Sequence, residues 1–386
     1  MKTTVKFFFA AGVAGFAGAA LLYRLNAAVG EFSRQAELYG ASAGEETRDL
    51  LALRREVSRM SLEEKIGQML MVSVPGPDLD DNTAARLSNG HIGGIILLGK
   101  NVRSREQVRF LIGELQERGR GAGDPPLLIA VDQEGGVVNR FSFLRELTPQ
   151  REIRSPEQGF EVARARAREL AALGVNMNFS PVLDAATTSD FVFARAFRGD
   201  ASDIASWGSA MVKGYREGGV IPVVKHFPGH GGTSVDSHRS LPAVSDTREK
   251  LKERMTPFRR AIEEGASVVM AGHLKFPAID PDAPASLSPV FLERLLREEL
   301  KFGGVMITDD LGMGAITSRY ELPDAAVRAV RAGADIVLVV KNAVDDERIY
   351  RAIVAAAQNG LISEARIDQS VLRILRLKKS YLNFEG

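Results

Sequence analysis

Eight short apolar runs recur along the chain, and most are continuous rather than alternating. They are "GQMLMVSV" (67–74), "GGIILLG" (93–99), "LLIAVDQE" (127–134), "VNMNFSPVLD" (175–184), "VIPVVKHF" (220–227), "SVVMAGHL" (267–274), "GVMITDDL" (304–311) and "ADIVLVV" (334–340). A strand with one wet face alternates apolar and polar residues. A strand covered on both faces does not, so these runs predict parallel strands sandwiched by helices. The intervening stretches include 104–119, 155–174, 246–265 and 288–304, which are longer and amphipathic. Several open on Ser or Asp and close on Gly, the residues that cap helices. Ser61 and Glu64 form a further capping box ahead of the first run.

Eight strands alternating with helices predict an α/β fold, a single (β/α)₈ TIM-type barrel over residues 55–386. A doubly wound open sheet is the alternative, but it would usually bring a Gly-rich phosphate loop after an early strand, and none is evident. The reactive residues support a barrel. Asp132 and Glu134, Asp184, Lys225 and His226, His273, and Asp309 and Asp310 all fall at or just past the carboxyl ends of predicted strands. In a barrel those ends share one face, where active sites are built.

The balance of 50 Lys and Arg to 49 Asp and Glu argues against a broad nucleic-acid surface. The chain has no cysteine, which excludes disulfides, thiolate ligands, a cysteine nucleophile and a lipoprotein anchor. Residues 1–24 stand apart. Lys2 and Lys6 precede an uncharged apolar run from Phe7 to Tyr23, which as a helix would reach roughly 25 Å, near the lower limit for crossing a bilayer. This reads as a signal anchor or signal peptide, with the anchor preferred, followed by a tether and lead-in helix over 25–54.

Three of the five histidines lie in "KHFPGHGGTSVDSH", Lys225 to His238. His226 and His230 have the i, i+4 spacing of a zinc helix, but Pro228 and Gly229 break any helix there. A loop-built zinc site is the alternative to a role in catalysis. His230, between glycines, reads as a brace for the loop.

Taken with "MSLEEKIGQMLMV", "VDQEGG", "NFSPVLD", "ASLSPVFLERLLREELKFGGVMITDDLGM" and "AGADIVL", that stretch resembles glycoside hydrolase family 3 over roughly residues 55–380. The Asp-Ser-His at 236–238 is similar to the exo-β-N-acetylglucosaminidase (β-N-acetylhexosaminidase) branch. The resemblance implies a retaining enzyme without cofactor or metal that removes terminal β-linked GlcNAc from glycans such as peptidoglycan fragments in cell-wall turnover. With the amino-terminal segment, it implies an extracytoplasmic, membrane-tethered location, in the periplasm or at the cell surface.

A retaining glycosidase needs a nucleophile on one side of the anomeric carbon and a proton donor on the other. Asp309 is similar to the family's nucleophile; the plain structural alternative is a helix N-cap. Asp310 is expected on the opposite side of the strand, because successive side chains alternate. Many multidomain relatives take the acid/base carboxylate from a later domain, whereas here the barrel's own loops are expected to supply it. Asp236 and His238 resemble the Asp–His dyad of this branch, and an imidazole can give and recover a proton near neutral pH. Glycines 229, 231 and 232 are expected to let this loop move. Asp132 and Arg140, Arg195, Lys225 and His226 match the family's sugar-binding residues. Val137 departs from the family pattern, where Arg is usual, as do Ala196 and Arg198, where Ser and Gly are common. Open alternatives are a β-glucosidase-type hydrolase, a β-N-acetylglucosaminide phosphorylase, and a catalytically silent cell-wall-binding barrel.

Overall fold

The computed structural model describes residues 48–119 and 125–382. The expected anchor over 1–24 and most of the tether over 25–54 lie outside the described residues. Among those described, no helix is long and apolar enough to cross a membrane. The chain divides into two compact units between Arg55 and Glu56. In the first, residues 48–55 are helical; the second holds the sheet.

All eight expected strands form: β1 (Leu70–Ser73), β2 (Gly94–Leu97), β3 (Leu128–Val131), β4 (Met177–Asn178), β5 (Ile221–Phe227), β6 (Val268–Ala271), β7 (Val305–Thr308) and β8 (Val337–Val339). They build one parallel sheet in the order β7-β6-β5-β4-β3-β2-β1-β8. Every strand residue is buried, which is why the runs carry no alternation. A bridge between Ile307 and Ile336 brings β7 to β8 and nearly closes the barrel. Asp335, fully buried just before β8, reinforces this seam. It accepts from Met306 N–H (2.9 Å), Arg297 Nη2 (2.5 Å), Ser370 Oγ (2.6 Å) and Arg373 Nη1 (3.0 Å).

The amphipathic stretches are helical with local differences. The capping box at Ser61 and Glu64 is present, with contacts of 3.2 and 2.8 Å. Arg105–Arg118 and Pro156–Ala171 match their predicted helices. The stretch 246–265 is broken into Arg248–Arg254 and Thr256–Glu263. Pro257, which lacks an N–H, sits in the first turn of the second helix, where such a donor is spare. Val290–Glu299 is wound as a wider π-helix.

β4 is the shortest strand, far shorter than the run 175–184. Asparagine side chains complete its edges in place of peptides. Asn176 accepts from Ile129 N–H (2.8 Å) and donates to Leu127 carbonyl (2.9 Å); Asn178 pairs likewise with both backbone groups of Gln133 (2.9 Å each). These bonds fix the residues following β3 and β4, which enter the site.

At the other end of the barrel, Lys378 of the helix Glu364–Leu382 is fully buried. Its amine donates to Gln68 Oε1 (2.6 Å) and Gly93 carbonyl (3.1 Å), at the amino ends of β1 and β2. Burial pushes this amine down to about 7.

Candidate active site

The carboxyl ends of the strands surround a cavity of about 250 Å³. Seven of the eight expected site residues line it: Asp132, Arg140, Arg195, Lys225, His226, His238 and Asp309. The eighth, Asp236, stands behind His238 with its Oδ1 2.7 Å from the imidazole Nδ1.

The segment after β3 explains the eight-residue spacing of Asp132 and Arg140. Gly135 and Gly136 take positive φ (83° and 61°), and Glu134 N–H donates to Val138 carbonyl (3.0 Å), so the chain doubles back. Gln133, fully buried, then holds the return limb by accepting from Arg140 N–H (2.9 Å) and Phe141 N–H (3.0 Å). Arg140 Nη2 thereby comes within 3.9 Å of Asp132 Oδ2. Val137, at the tip of this turn, is 70% exposed.

Lys225 and His226 are neighbours on β5 yet both reach the cavity. The β5–β6 register shifts between Val224 and Phe227, which interrupts the usual alternation there. Lys225 Nζ contacts Asp132 Oδ1 (2.7 Å) and Glu134 Oε1 (2.6 Å). Glu134 also takes a forked pair from Arg195, Nε–Oε2 2.9 Å and Nη2–Oε1 2.7 Å. One buried carboxylate therefore orients two cations that line the cavity. Burial opposes its charge, but the Arg195 and Lys225 fields and their hydrogen bonds win, holding Glu134 far below the usual range. On Arg195 and Lys225 burial is likewise outweighed, by Glu134 on the first and by Asp132 and Glu134 on the second, and both are raised.

Asp184, just past β4, plays a similar part for His226. Its Oδ2 lies 2.6 Å from the imidazole Nδ1, and its Oδ1 accepts from His226 N–H (3.0 Å) and His230 N–H (2.6 Å). Burial is again overcome, chiefly by His226, and Asp184 sits at about 2. Arg195 Nη2 lies 3.3 Å from the other nitrogen of His226.

Asp309 directly follows β7, and its N–H donates to Ala271 carbonyl at the end of β6 (2.9 Å). It remains partly open, toward the cavity it lines. Burial pushes its carboxyl up, but His226, His273, the Asp310 N–H and Lys225 together hold it below its ordinary value, so it is ionised at neutral pH. His273 Nε2–H donates to Asp310 carbonyl (2.9 Å), which leaves Nδ1 facing Ser286 Oγ (2.7 Å). Burial lowers His273, keeping it a neutral brace for the strand that carries Asp309.

Asp310 only partly obeys the expected alternation. It borders the cavity, while its Oδ1 is bound by Gly312 N–H and Val340 N–H, both at 2.8 Å. It ties the loop after β7 to the end of β8, and burial raises its carboxyl.

The three clustered imidazoles face three different partners: His226 Nδ1 faces Asp184, His230 Nε2 faces Ser237 Oγ (3.1 Å), and His238 Nδ1 faces Asp236. Burial lowers His230 to about 4, so it braces the loop as a neutral ring. The expected freedom of the glycines does not describe the start of this loop. Residues through Gly231 are buried, and a Cβ at Gly231 would lie 1.9 Å from Ala185 carbonyl oxygen, so that glycine serves close packing. His238, by contrast, has a side chain 59% exposed at the rim.

Sequence reasoning placed Glu134 and Asp184 at strand ends but gave them no role. An acidic residue after an apolar run is visible in sequence; whether it faces a substrate or a cation is not. The arrangement offers an ionised carboxylate at the cavity wall, a hydrogen-bonded Asp–His pair at its rim, and charged groups that could pair with several hydroxyls.

Comparison with known proteins points to one family. A family model described as "Glycosyl hydrolase family 3 N terminal domain" matches residues 61–377. A beta-hexosaminidase from Nitrosomonas eutropha is 38% identical over 285 residues, covering 70% of this chain and 80% of that protein. A solved family 3 beta-N-acetylglucosaminidase from Paenibacillus is 39% identical with TM-score 0.79, covering 85% of this chain; this chain spans 64% of that one. The structure of Mycobacterium tuberculosis LpqI is 31% identical with TM-score 0.77, covering 84% of this chain and 96% of that one.

Proposed function

The chain belongs to glycosyl hydrolase family 3, and on that footing we propose that it is an exo-acting, retaining β-N-acetylhexosaminidase. It removes terminal β-linked N-acetylglucosamine through a glycosyl-enzyme. The carrying observation is that an ionised Asp309, bound by one backbone N–H from Asp310 (2.8 Å), and His238, backed by Asp236, border one small cavity, while the other carboxylates there are held by a lysine or by two N–H groups. Asp132 is engaged by Lys225 and Asp310 by two backbone N–H groups.

Asp309 attacks the anomeric carbon as the bond to the leaving oxygen breaks. His238 presents Nε2, since Nδ1 faces Asp236, and gives that oxygen a proton. The Asp236 carboxylate stabilises the imidazolium that supplies the proton, as in triad chemistry. In the second half His238 takes a proton from water, which releases the sugar from Asp309. Asp132, Arg140, Arg195, Lys225 and His226 hold the ring hydroxyls by charge-assisted hydrogen bonds. At about 250 Å³ the cavity suits one sugar unit rather than a chain, which favours exo action.

The natural substrates in this reading are GlcNAc-terminated peptidoglycan fragments, cleaved outside the cytoplasm by an enzyme tethered through residues 7–23. The support for the tether is the uncharged run behind Lys2 and Lys6. Full-length protein should sediment with membranes, and a form lacking residues 1–30 should be soluble and active. Soluble full-length protein in the cytoplasm would reject the tether. For the reaction, matched nitrophenyl glycosides decide: kcat/KM should strongly favour the β-N-acetylglucosaminide over the β-glucoside. Comparable values would move the activity to another sugar.

A further inference from the structure

The loop bearing the acid/base dyad is fastened at both ends of its course. Its root is held by Asp184 through the His230 N–H (2.6 Å), and Phe191 N–H holds Thr233 carbonyl (3.0 Å). Beyond that, residues 234–236 and 238–240 are at least partly exposed, and only Ser237 is buried again. There the loop meets the segment that follows Asp309. Gly314 N–H donates to His238 carbonyl (2.9 Å) and Ala315 N–H to Ser237 carbonyl (3.1 Å).

This contact is available only to glycine. A Cβ at position 314 would lie 2.4 Å from Arg239 carbonyl oxygen, 2.7 Å from its carbon and 2.8 Å from His238 carbonyl oxygen. All three are backbone atoms, which cannot swing aside as the end of a flexible side chain can. A methyl group at 314 therefore has one cheap outlet, which is to push the exposed 238–240 segment off.

We propose that Gly314 is a positioning residue for proton transfer. It lets the backbone that follows the nucleophile touch the backbone of His238, and so sets the imidazole at a fixed place relative to Asp309. Proximity of this kind is sensitive, because a misplacement of about 1 Å can cost on the order of 10²-fold in rate. The inference rests on the roles proposed for Asp309 and His238. Gly314 does not line the cavity, and the proposed sugar-binding groups lie after β3, after β4 and on β5.

The test is Gly314→Ala, assayed on a GlcNAc disaccharide and on nitrophenyl β-GlcNAc. Disaccharide kcat should fall on the order of 10–10²-fold, short of the 10²–10⁴ typical for full loss of a general acid. The rate of nitrophenol release in the first turnover should change little, as should competitive inhibition by free GlcNAc. In a His238→Ala background, the same substitution should cause no further loss on the disaccharide. Ala315→Pro, which removes the second N–H without adding a group at 314, should reproduce the leaving-group split. Equal losses on both substrates, losses that multiply with those of His238→Ala, or an unchanged disaccharide rate in a folded Gly314→Ala would each overturn the proposal. Wild-type protein inactive on every β-N-acetylglucosaminide would instead overturn the function on which it rests.

Discussion

Replacing Glu134 by Gln keeps the shape of the side chain and removes its charge, so it isolates what that buried carboxylate contributes. Two cations lose their partner. Lys225 keeps Asp132 at 2.7 Å, but Arg195 keeps only its 3.3 Å contact with His226. Breaking one side of a buried ion pair commonly costs about 3–5 kcal/mol. Arg195 is 15% exposed at the cavity, so the lower end applies, about 3 kcal/mol. For a chain of this size that corresponds to a Tm lower by about 4 °C. The pH dependence follows from the direction of the shift. Glu134 lies below its ordinary value of 4.5 when folded, so its contribution is complete above that pH. As pH falls below 4.5 the unfolded chain takes up a proton that the folded chain refuses, and the contribution shrinks. Thermal unfolding of wild type and Glu134→Gln between pH 7 and 3.5 should therefore show a Tm gap that is widest at pH 7 and narrows below 4.5. KM for GlcNAc glycosides should rise, because Lys225 and Arg195, the cations proposed to bind the sugar, each lose a partner. A gap near zero at pH 7, or one independent of pH, would refute the view of Glu134 as the charged hub of the subsite.

Lys378 gives the same direction of slope in a higher pH window, from burial alone. Its folded value is lowered to about 7 from 10.5, so between those pH values the unfolded chain binds more protons and folding stability rises with pH. Wild type should gain stability relative to Lys378→Met as pH rises through that window; parallel curves would contradict a buried, weakly basic amine. His238→Ala should lose on the order of 10²–10⁴ in rate on a disaccharide but much less in the first turnover of a nitrophenyl glycoside, which needs little proton assistance. Steady-state turnover should lag behind the burst, since deglycosylation also uses the base; Asp236→Ala should show a milder form. Equal loss on both leaving groups would remove His238 from the proton-transfer role.

The barrel was legible because parallel strands buried on both faces leave continuous apolar runs, whatever their tertiary partners. β4 was less so, since its edges are finished by the side chains of Asn176 and Asn178, a contact with no local pattern. The break at Met255 had a visible marker in Pro257, but proline inside a charged amphipathic stretch reads equally as a first-turn residue and as a kink. In the site, motif resemblance picked out groups that meet the cavity. It did not separate them from the carboxylates that hold them, because Glu134 and Asp184 act through partners 61 and 42 residues away. Glycines misled in one respect. Gly231 reads in sequence as a source of loop movement, yet it, like Gly314, marks a place where two backbones come too close for a side chain.

The central claim is that Asp309 forms the glycosyl-enzyme, and covalent trapping tests it most directly. A fluorinated GlcNAc glycoside with a good leaving group, whose deglycosylation is slow, should label the protein once per chain. Peptide mass analysis should place the sugar on Asp309, and Asp309→Ala should be folded, inactive and unlabelled. Label on Asp310 or any other carboxylate, or on folded Asp309→Ala, would contradict the account.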